Sequence, residues 1–343
     1  MDERFAVRDL EPHEMPVWNA LATTAPEGSS YVTSQYLKLL AEVTGATARI
    51  IGVFRGHELV GGMGLYQTPL GGRGQVQTSG RYLLYYNGPC VKPSTAESSY
   101  RCERHRTHVL EAIEQFLRQA YRQARFKARS PASDYRAFIG SGWLARPVYS
   151  YELDLTDLPQ LWARMDHNLR RLIGRCRTDG MRLQDEGDFS EFYDAHQSLH
   201  ARKGTPLYLP RCSFSRFVDG LLTSELGRLF AVLDSSGKAI AWQLVLLGAH
   251  PVSHTLAANA LESHQASGCN AFLRWQVCEW LAARGFRAND LTDAHQPEVA
   301  RFKSQLGAQL KLGLQIELPP TAAAALGSAA KSFARSCVKR AWR

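Results

Sequence analysis

Ala300-Arg301-Phe302-Lys303-Ser304-Gln305-Leu306-Gly307 is preceded by Asp290-Leu291-Thr292-Asp293 and followed by the alternating run Gln309-Leu310-Lys311-Leu312-Gly313-Leu314-Gln315-Ile316. Alternation with a period of two predicts a strand in the last run. The lysine segment then reads as a short helix between a strand with an acidic end and a final strand that closes a sheet. In that setting Lys303 is a fixed cation beside strand ends. The competing reading is an amphipathic turn that exposes its lysine to solvent.

Working outward, the second half continues the pattern. Met181–Gln184 reads as a short strand, and Asp188 as the cap of a helix running through Arg202. Ser213–Thr223 reads as a second helix. Arg228–Leu233, the Asp234-Ser235-Ser236-Gly237 turn and Ala239–Leu247 form an antiparallel hairpin. Val252–Ala260 is a strand, Ala271–Arg284 a helix, Phe286–Thr292 a strand, Pro297–Leu306 a helix and Gln309–Leu318 the last strand. The first half gives a rougher version of the same order. It has a strand at Phe5–Arg8 and helices at Glu14–Ala25 and Ser34–Val43, the second with Ser34 as N-cap. Strands follow at Ala46–Phe54 and Glu58–Gln67, then the β-favouring run Tyr82–Tyr86, a helix at His105–Gln123 and a strand at Pro147–Leu155. A single long basic helix, Leu158–Thr178, joins the halves. The pattern predicts an α+β protein built of two similar units, each a mixed, mostly antiparallel sheet flanked by helices. The expected domains are 1–155 and 156–320, with a basic tail at 321–343.

The 343 residues exceed what one core usually serves. No window holds the apolar run of a membrane span, and the acidic start Met1-Asp2-Glu3-Arg4 offers no secretory signal. Seven cysteines form no CxxC pair and no ligand spacing, which speaks for reduced thiols, a cytoplasmic protein and no metal. The net charge of +9 suits a polyanion such as tRNA, CoA phosphates, a diphosphate-linked sugar or an anionic membrane face. Arg170, Arg171, Arg175 and Arg177 either contact such a partner or form a solvated face. The tail carries Lys331, Arg335, Lys339, Arg340 and Arg343 and no acid. It suits peripheral contact with the inner face of a membrane, or a solubilising end.

Four segments resemble the FemAB/FemX acyltransferases of the GNAT (acyl-CoA N-acyltransferase) superfamily. Asn168-Leu169-Arg170-Arg171-Leu172-Ile173 is similar to the family's basic helix. Asp188-Phe189-Ser190-Glu191-Phe192-Tyr193 with His200-Ala201-Arg202-Lys203-Gly204 is similar to its DF-x-x-FY helix and H-x-R-x-G turn. Asn270–Trp275 through Gly285–Leu291 is similar to its helix and D-L/F segment, and Arg301–Gly307 to its RFK-x-x-x-G ending. The resemblance implies tandem GNAT-like units, the second better formed. It implies transfer of an acyl or aminoacyl group to an amine of a small molecule or a cell-envelope or polysaccharide precursor. The donor would be acyl-CoA or aminoacyl-tRNA, attacked directly. The alternative is a non-catalytic basic binding protein that keeps the fold.

Under that resemblance Lys303 would face the developing oxyanion, and Asp290 or Asp293 would orient the amine or act as base. Asp293 could instead cap the next helix and Asp290 make a structural bond. Gln265, Gly268 and Asn270 stand where the family wraps a pyrophosphate with backbone N–H groups, Asn270 replacing a small residue, and Arg301 would assist donor binding. Arg202, Lys203, Tyr208 and Arg171 are the acceptor-side candidates. Cations at the end of a helix are also favoured by its dipole. A loop tyrosine can simply pack on the core. His196 and His200, one turn apart, lack an evident third metal ligand.

Overall fold

The computed structural model describes residues 5–67, 75–77, 83–131 and 134–319. The basic tail at 321–343 lies outside these. The first half runs β1 (Phe5–Asp9), α1 (Met15–Thr24), α2 (Ser34–Thr44), β2 (Thr47–Arg55), β3 (Glu58–Gln67), β4 (Gln75–Gln77), β5 (Cys90–Val91), α3 (Ser99–Ala120), β6 (Gln123–Ala128), α4 (Arg136–Ile139) and β7 (Leu144–Asp154). α5 (Leu158–Arg164) and α6 (His167–Thr178) connect it to β8 (Arg182–Gln184), α7 (Phe189–Lys203), α8 (Arg211–Thr223), β9 (Gly227–Leu233), β10 (Ala239–Leu246), β11 (Val252–Ala260), α9 (Cys269–Ala282), β12 (Ala288–Asp293), α10 (Pro297–Gln305) and β13 (Gln309–Glu317). The order strand, two helices, antiparallel strands, helix, strand, short helix, strand thus occurs twice, as the pattern predicts.

All 13 strands join one sheet in the order β1-β2-β3-β4-β6-β13-β7-β12-β11-β10-β9-β8, with β5 on β3. Among the described residues only β4–β6 and β11–β12 pair in parallel, one such pair in each half. The halves exchange their last strands. β13 pairs with β6 of the first half, β7 pairs with β12 of the second, and β7 and β13 pair with each other from Leu144–Glu317 to Glu152–Gln309. Chain order cannot reveal such an exchange, because both strands alternate in the same way.

Three cores follow from this arrangement. α1 and α2 meet α7 and α8 on one face, where Tyr36 and Phe217 ring centroids lie 6.0 Å apart. α5, α6 and α9 cover the other face of the second half. α3 and α4 cover that of the first. The first core contains residues of both halves, so the apolar burial that stabilises one also holds it to the other.

The structure corrects several local expectations. The single helix Leu158–Thr178 is two. Met165 is extended, Asp166 caps α6 by accepting from Asn168 N–H (2.9 Å), and Asp166 N–H donates to Gln305 C=O at the end of α10 (2.8 Å). A local cap and a tertiary bond together outweigh helix continuation. Ser34 is the first residue of α2 rather than its cap; its N–H is taken by the Asn19 side chain of α1 (2.8 Å). Leu83–Tyr86 is buried but forms no strand, while β6, read in part as the end of a helix, is one. No helix among the described residues is long and apolar enough to cross a membrane.

Candidate active site at the split between two parallel strands

β11 and β12 pair only from Val252–Ala288 to His254–Asp290. Beyond that point they part. β11 continues along β10 to Ala260, whereas β12 bends at Thr292, whose φ of 56° is unusual for a β-branched residue. The Asp290 carboxylate fixes the bend by accepting the Thr292 N–H (2.7 Å). A split between parallel strands leaves ladder groups without their usual partners, and crevices at strand C-terminal ends are where open α/β sheets bind ligands. Here the split opens into a cavity of about 250 Å³. Its walls are Thr255–Ala258 of β11, Leu291–Asp293 of β12, His196, His200 and Lys203 of α7, Thr205, Pro206 and Tyr208 of the following loop, Arg274 of α9, and Val299 and Lys303 of α10.

Lys303 is buried in the wall of this cavity. Its ammonium donates to the carbonyls of Leu291 (2.8 Å), Thr292 (3.1 Å) and Asp293. Three carbonyls take all three N–H donors, so Lys303 is a fixed cation that pins the bent end of β12. Its charge, rather than a spare N–H, faces the cavity. Burial pushes it down to about 8, the Arg274 charge acts in the same direction, and Asp293 and Asp290 push back.

Asp290 is 1% exposed and lines no part of this cavity. Tyr86 Oη of the first half donates to its Oδ2 (2.9 Å). His254 Nδ1 lies 3.8 Å from the same oxygen, and His254 Nε2 lies 2.9 Å from Ser29 Oγ. Serine, histidine and aspartate in a row have the residue types of a hydrolytic triad. However, 3.8 Å is too long for a hydrogen bond, and both carboxylate oxygens are engaged. Ser29 and His254 are 1% and 0% exposed, so no substrate reaches the hydroxyl. The row instead joins the two halves.

Burial raises the Asp290 carboxyl to about 6, with Arg129 opposing and Glu152 assisting. For an acid raised on folding, the stability it contributes is fully present below its ordinary value and is lost as pH rises through about 6. Asp290→Asn therefore gains about 3 kcal/mol relative to wild type between about pH 4 and about pH 7. Denaturant unfolding at the two pH values measures this; a constant difference between the proteins contradicts it.

Of the other residues named from sequence, Asp293, Lys203 and Tyr208 meet Lys303 at the cavity. Asp293 is half-buried, with Oδ1 accepting the His295 N–H (2.9 Å). Tyr208 packs edge-on against His196 and His200. Arg202 turns to Glu262 (2.9 Å) and a neighbouring cavity. Arg171 and Arg301 are exposed and lie outside the split. Gln265 is exposed in the short 3₁₀ segment Glu262–Ser267, Gly268 with φ of 89° caps α9, and Asn270 sits in the first turn of α9 with a buried, unpartnered Oδ1. These three span the turn that leads into the N-terminus of α9. Arg274 is a cavity residue that the motif reading passed over. Its signal was a cation three residues after Ala271 and four before Cys278, both buried on α9. Among the described residues no group of three His, Cys, Asp or Glu side chains is arranged to hold a metal.

Residues 163–304 match the family described as an acetyltransferase (GNAT) domain. No curated protein matches the sequence. Among solved structures, FemX aligns with a TM-score of 0.68 at 12% identity, over 90% of this chain and 96% of that one. A conserved protein of unknown function from Bacteroides thetaiotaomicron VPI-5482 gives 0.60 at 9%, over 92% and 100%. The C-terminal domain of a presumed lysylphosphatidylglycerol synthetase from Agrobacterium fabrum gives 0.56 at 13%, over 93% and 96%. At such identities the structures speak for the fold, and the domain match speaks for acyl-transfer chemistry in the half that contains the split. Residues 163–304 thus carry a domain that matches the acetyltransferase (GNAT) family, and the chain as a whole shares the fold of FemX.

Proposed function

We propose that the β11–β12 split transfers an acyl or aminoacyl group to the amine of a small molecule or a cell-envelope precursor. The observation that carries this reading is the Lys303 ammonium, buried and immobilised at the point where the two strands part. A preorganised cation lowers the energy of the anionic tetrahedral intermediate without reorganising during reaction. The donor carbonyl enters the split, and the amine lone pair attacks its carbon. The bond to the ester oxygen or thioester sulfur then breaks, and the amine proton passes to a base. Asp293 suits that role, since it lines the cavity and its Oδ1 is oriented by the His295 N–H. Lys203 and Tyr208 line the acceptor side.

Direct attack is favoured over a covalent enzyme intermediate. Burial raises the Cys176 thiol to about 11 and the Cys278 thiol to about 12, and raises Cys269 as well. These thiols stay protonated and are poor nucleophiles. The donor's carrier would lie along Gln265–Asn270, against the first amides of α9. Carrier identity is tested by supplying labelled acyl-CoA and labelled aminoacyl-tRNA in parallel with an amine mixture. Amide formation from acyl-CoA that survives RNase assigns a CoA donor; formation from aminoacyl-tRNA that RNase abolishes assigns tRNA. Label transfer from neither source overturns the reading.

A further inference from the structure

Buried charges in folded proteins are paired, and buried polar atoms are hydrogen-bonded, because an unpartnered one forfeits its hydration without replacement. The split breaks this rule twice. Arg274 lines it with Nε and Nη1 sealed from solvent, and neither atom has a hydrogen-bond partner. Arg274 also has no ion-pair partner among the described residues. His196, 1% exposed and on the same wall, has both ring nitrogens sealed and unpartnered. Lys303 meets neutral carbonyls only. Lys203, Arg274 and Lys303 thus line the cavity against a single carboxylate, Asp293, which turns one oxygen to His295.

We propose that the split binds an anionic group of its substrate, a carboxylate or a phosphate, with Arg274 as the residue that receives it. The proposal rests on the cavity being the transfer site and names the chemistry of what enters it. A guanidinium offers a rigid fork of donors that matches the paired oxygens of either anion. His196 is held neutral, pushed down to about 3 by burial and then by His200, so it supplies one donor and one acceptor rather than a competing charge. A cavity of about 250 Å³ fits the charged end of a molecule rather than a whole nucleotide. A carboxylate would belong to an amino-acid-like acceptor, and a phosphate to the donor's carrier.

The test uses the full chain, wild type and Arg274→Met, in thermal-shift titrations with sodium acetate and with sodium phosphate at constant ionic strength set by chloride. The expected result is a rise in Tm with one of the anions in wild type, and an apparent affinity at least about tenfold weaker in Arg274→Met. Without added anion, Arg274→Met should be as stable as wild type or more so, since methionine removes a partly buried charge whose Nε and Nη1 are unpartnered and keeps most of the volume. Arg274→Lys, which keeps the charge but not the fork, should retain part of the anion response. Preference for acetate assigns the acceptor, and preference for phosphate the carrier. Equal responses in wild type and Arg274→Met, or no response from wild type, overturn the proposal. An intact anion response in a protein that transfers no acyl group leaves the anion site standing and removes the transfer reading instead.

Discussion

Gly268→Ala is expected to destabilise the protein by about 3 kcal/mol or more, from two independent causes. Its φ of 89° lies in the left-handed region, where an L side chain is strained. A Cβ there would also stand 2.6 Å from Leu172 Cβ of α6, a distance that packed carbons do not adopt. The α6–α9 contact must open, and with it the turn that leads into α9. For a chain of this size the loss corresponds to roughly 4 °C in Tm. Thermal unfolding monitored by circular dichroism measures it. Donor affinity should fall in parallel, because the same turn aims the first amides of α9. An unchanged Tm would show that α6 is not seated on Gly268.

The second large effect concerns chemistry. Lys303→Met should lower kcat by about 10²- to 10³-fold, the usual loss when one preorganised stabiliser of an oxyanion is removed. The variant loses the buried charge and leaves the Leu291, Thr292 and Asp293 carbonyls without their shared donor. The bend at Thr292 then keeps the Asp290 side chain and the Thr292 hydroxyl bond to Thr255 C=O but loses its shared cation. Lys303→Arg keeps the charge, but a planar fork cannot converge on three carbonyls as an ammonium does, so it should recover only part of the rate. In wild type, kcat/KM should rise with pH as the acceptor amine loses its proton and fall above about 8 as Lys303 loses its own. A profile that keeps rising well past that value would remove Lys303 from the reaction. A protein that only binds, without catalysis, would show neither the rate loss nor the falling limb.

Much of this was legible because it is local. The β9–β10 hairpin, the Asp188 cap of α7 and the helix–strand ending around Lys303 each rest on spacing within a few residues, and each appears where that spacing puts it. What the sequence did not disclose depends on partners far away in the chain. Asp166 divides a helix partly because Gln305 accepts its N–H. β7 and β13 change places through pairings that alternation cannot encode. In the site, Lys303, Asp293, Lys203 and Tyr208 converge. Arg202 is drawn off by Glu262, and Arg171 and Arg301 stay on the surface. Asp290, named for its acidic strand end, is instead closed in by Tyr86 from the other half. Arg274 was hidden by its neighbours: in a mostly apolar helix one arginine reads as the exposed face, and only the split of β11 from β12 shows that it points inward.

Amide-bond formation in the cavity around Lys303 is the reaction we propose. The measurement that meets it most directly is a single-turnover assay of label passing from acyl-CoA or aminoacyl-tRNA into an amine, with wild type and folded Lys303→Met side by side. Amide formation by wild type that falls by about 10²-fold or more in Lys303→Met is the predicted result. Equal transfer by both proteins, or none by wild type from either donor, would contradict it.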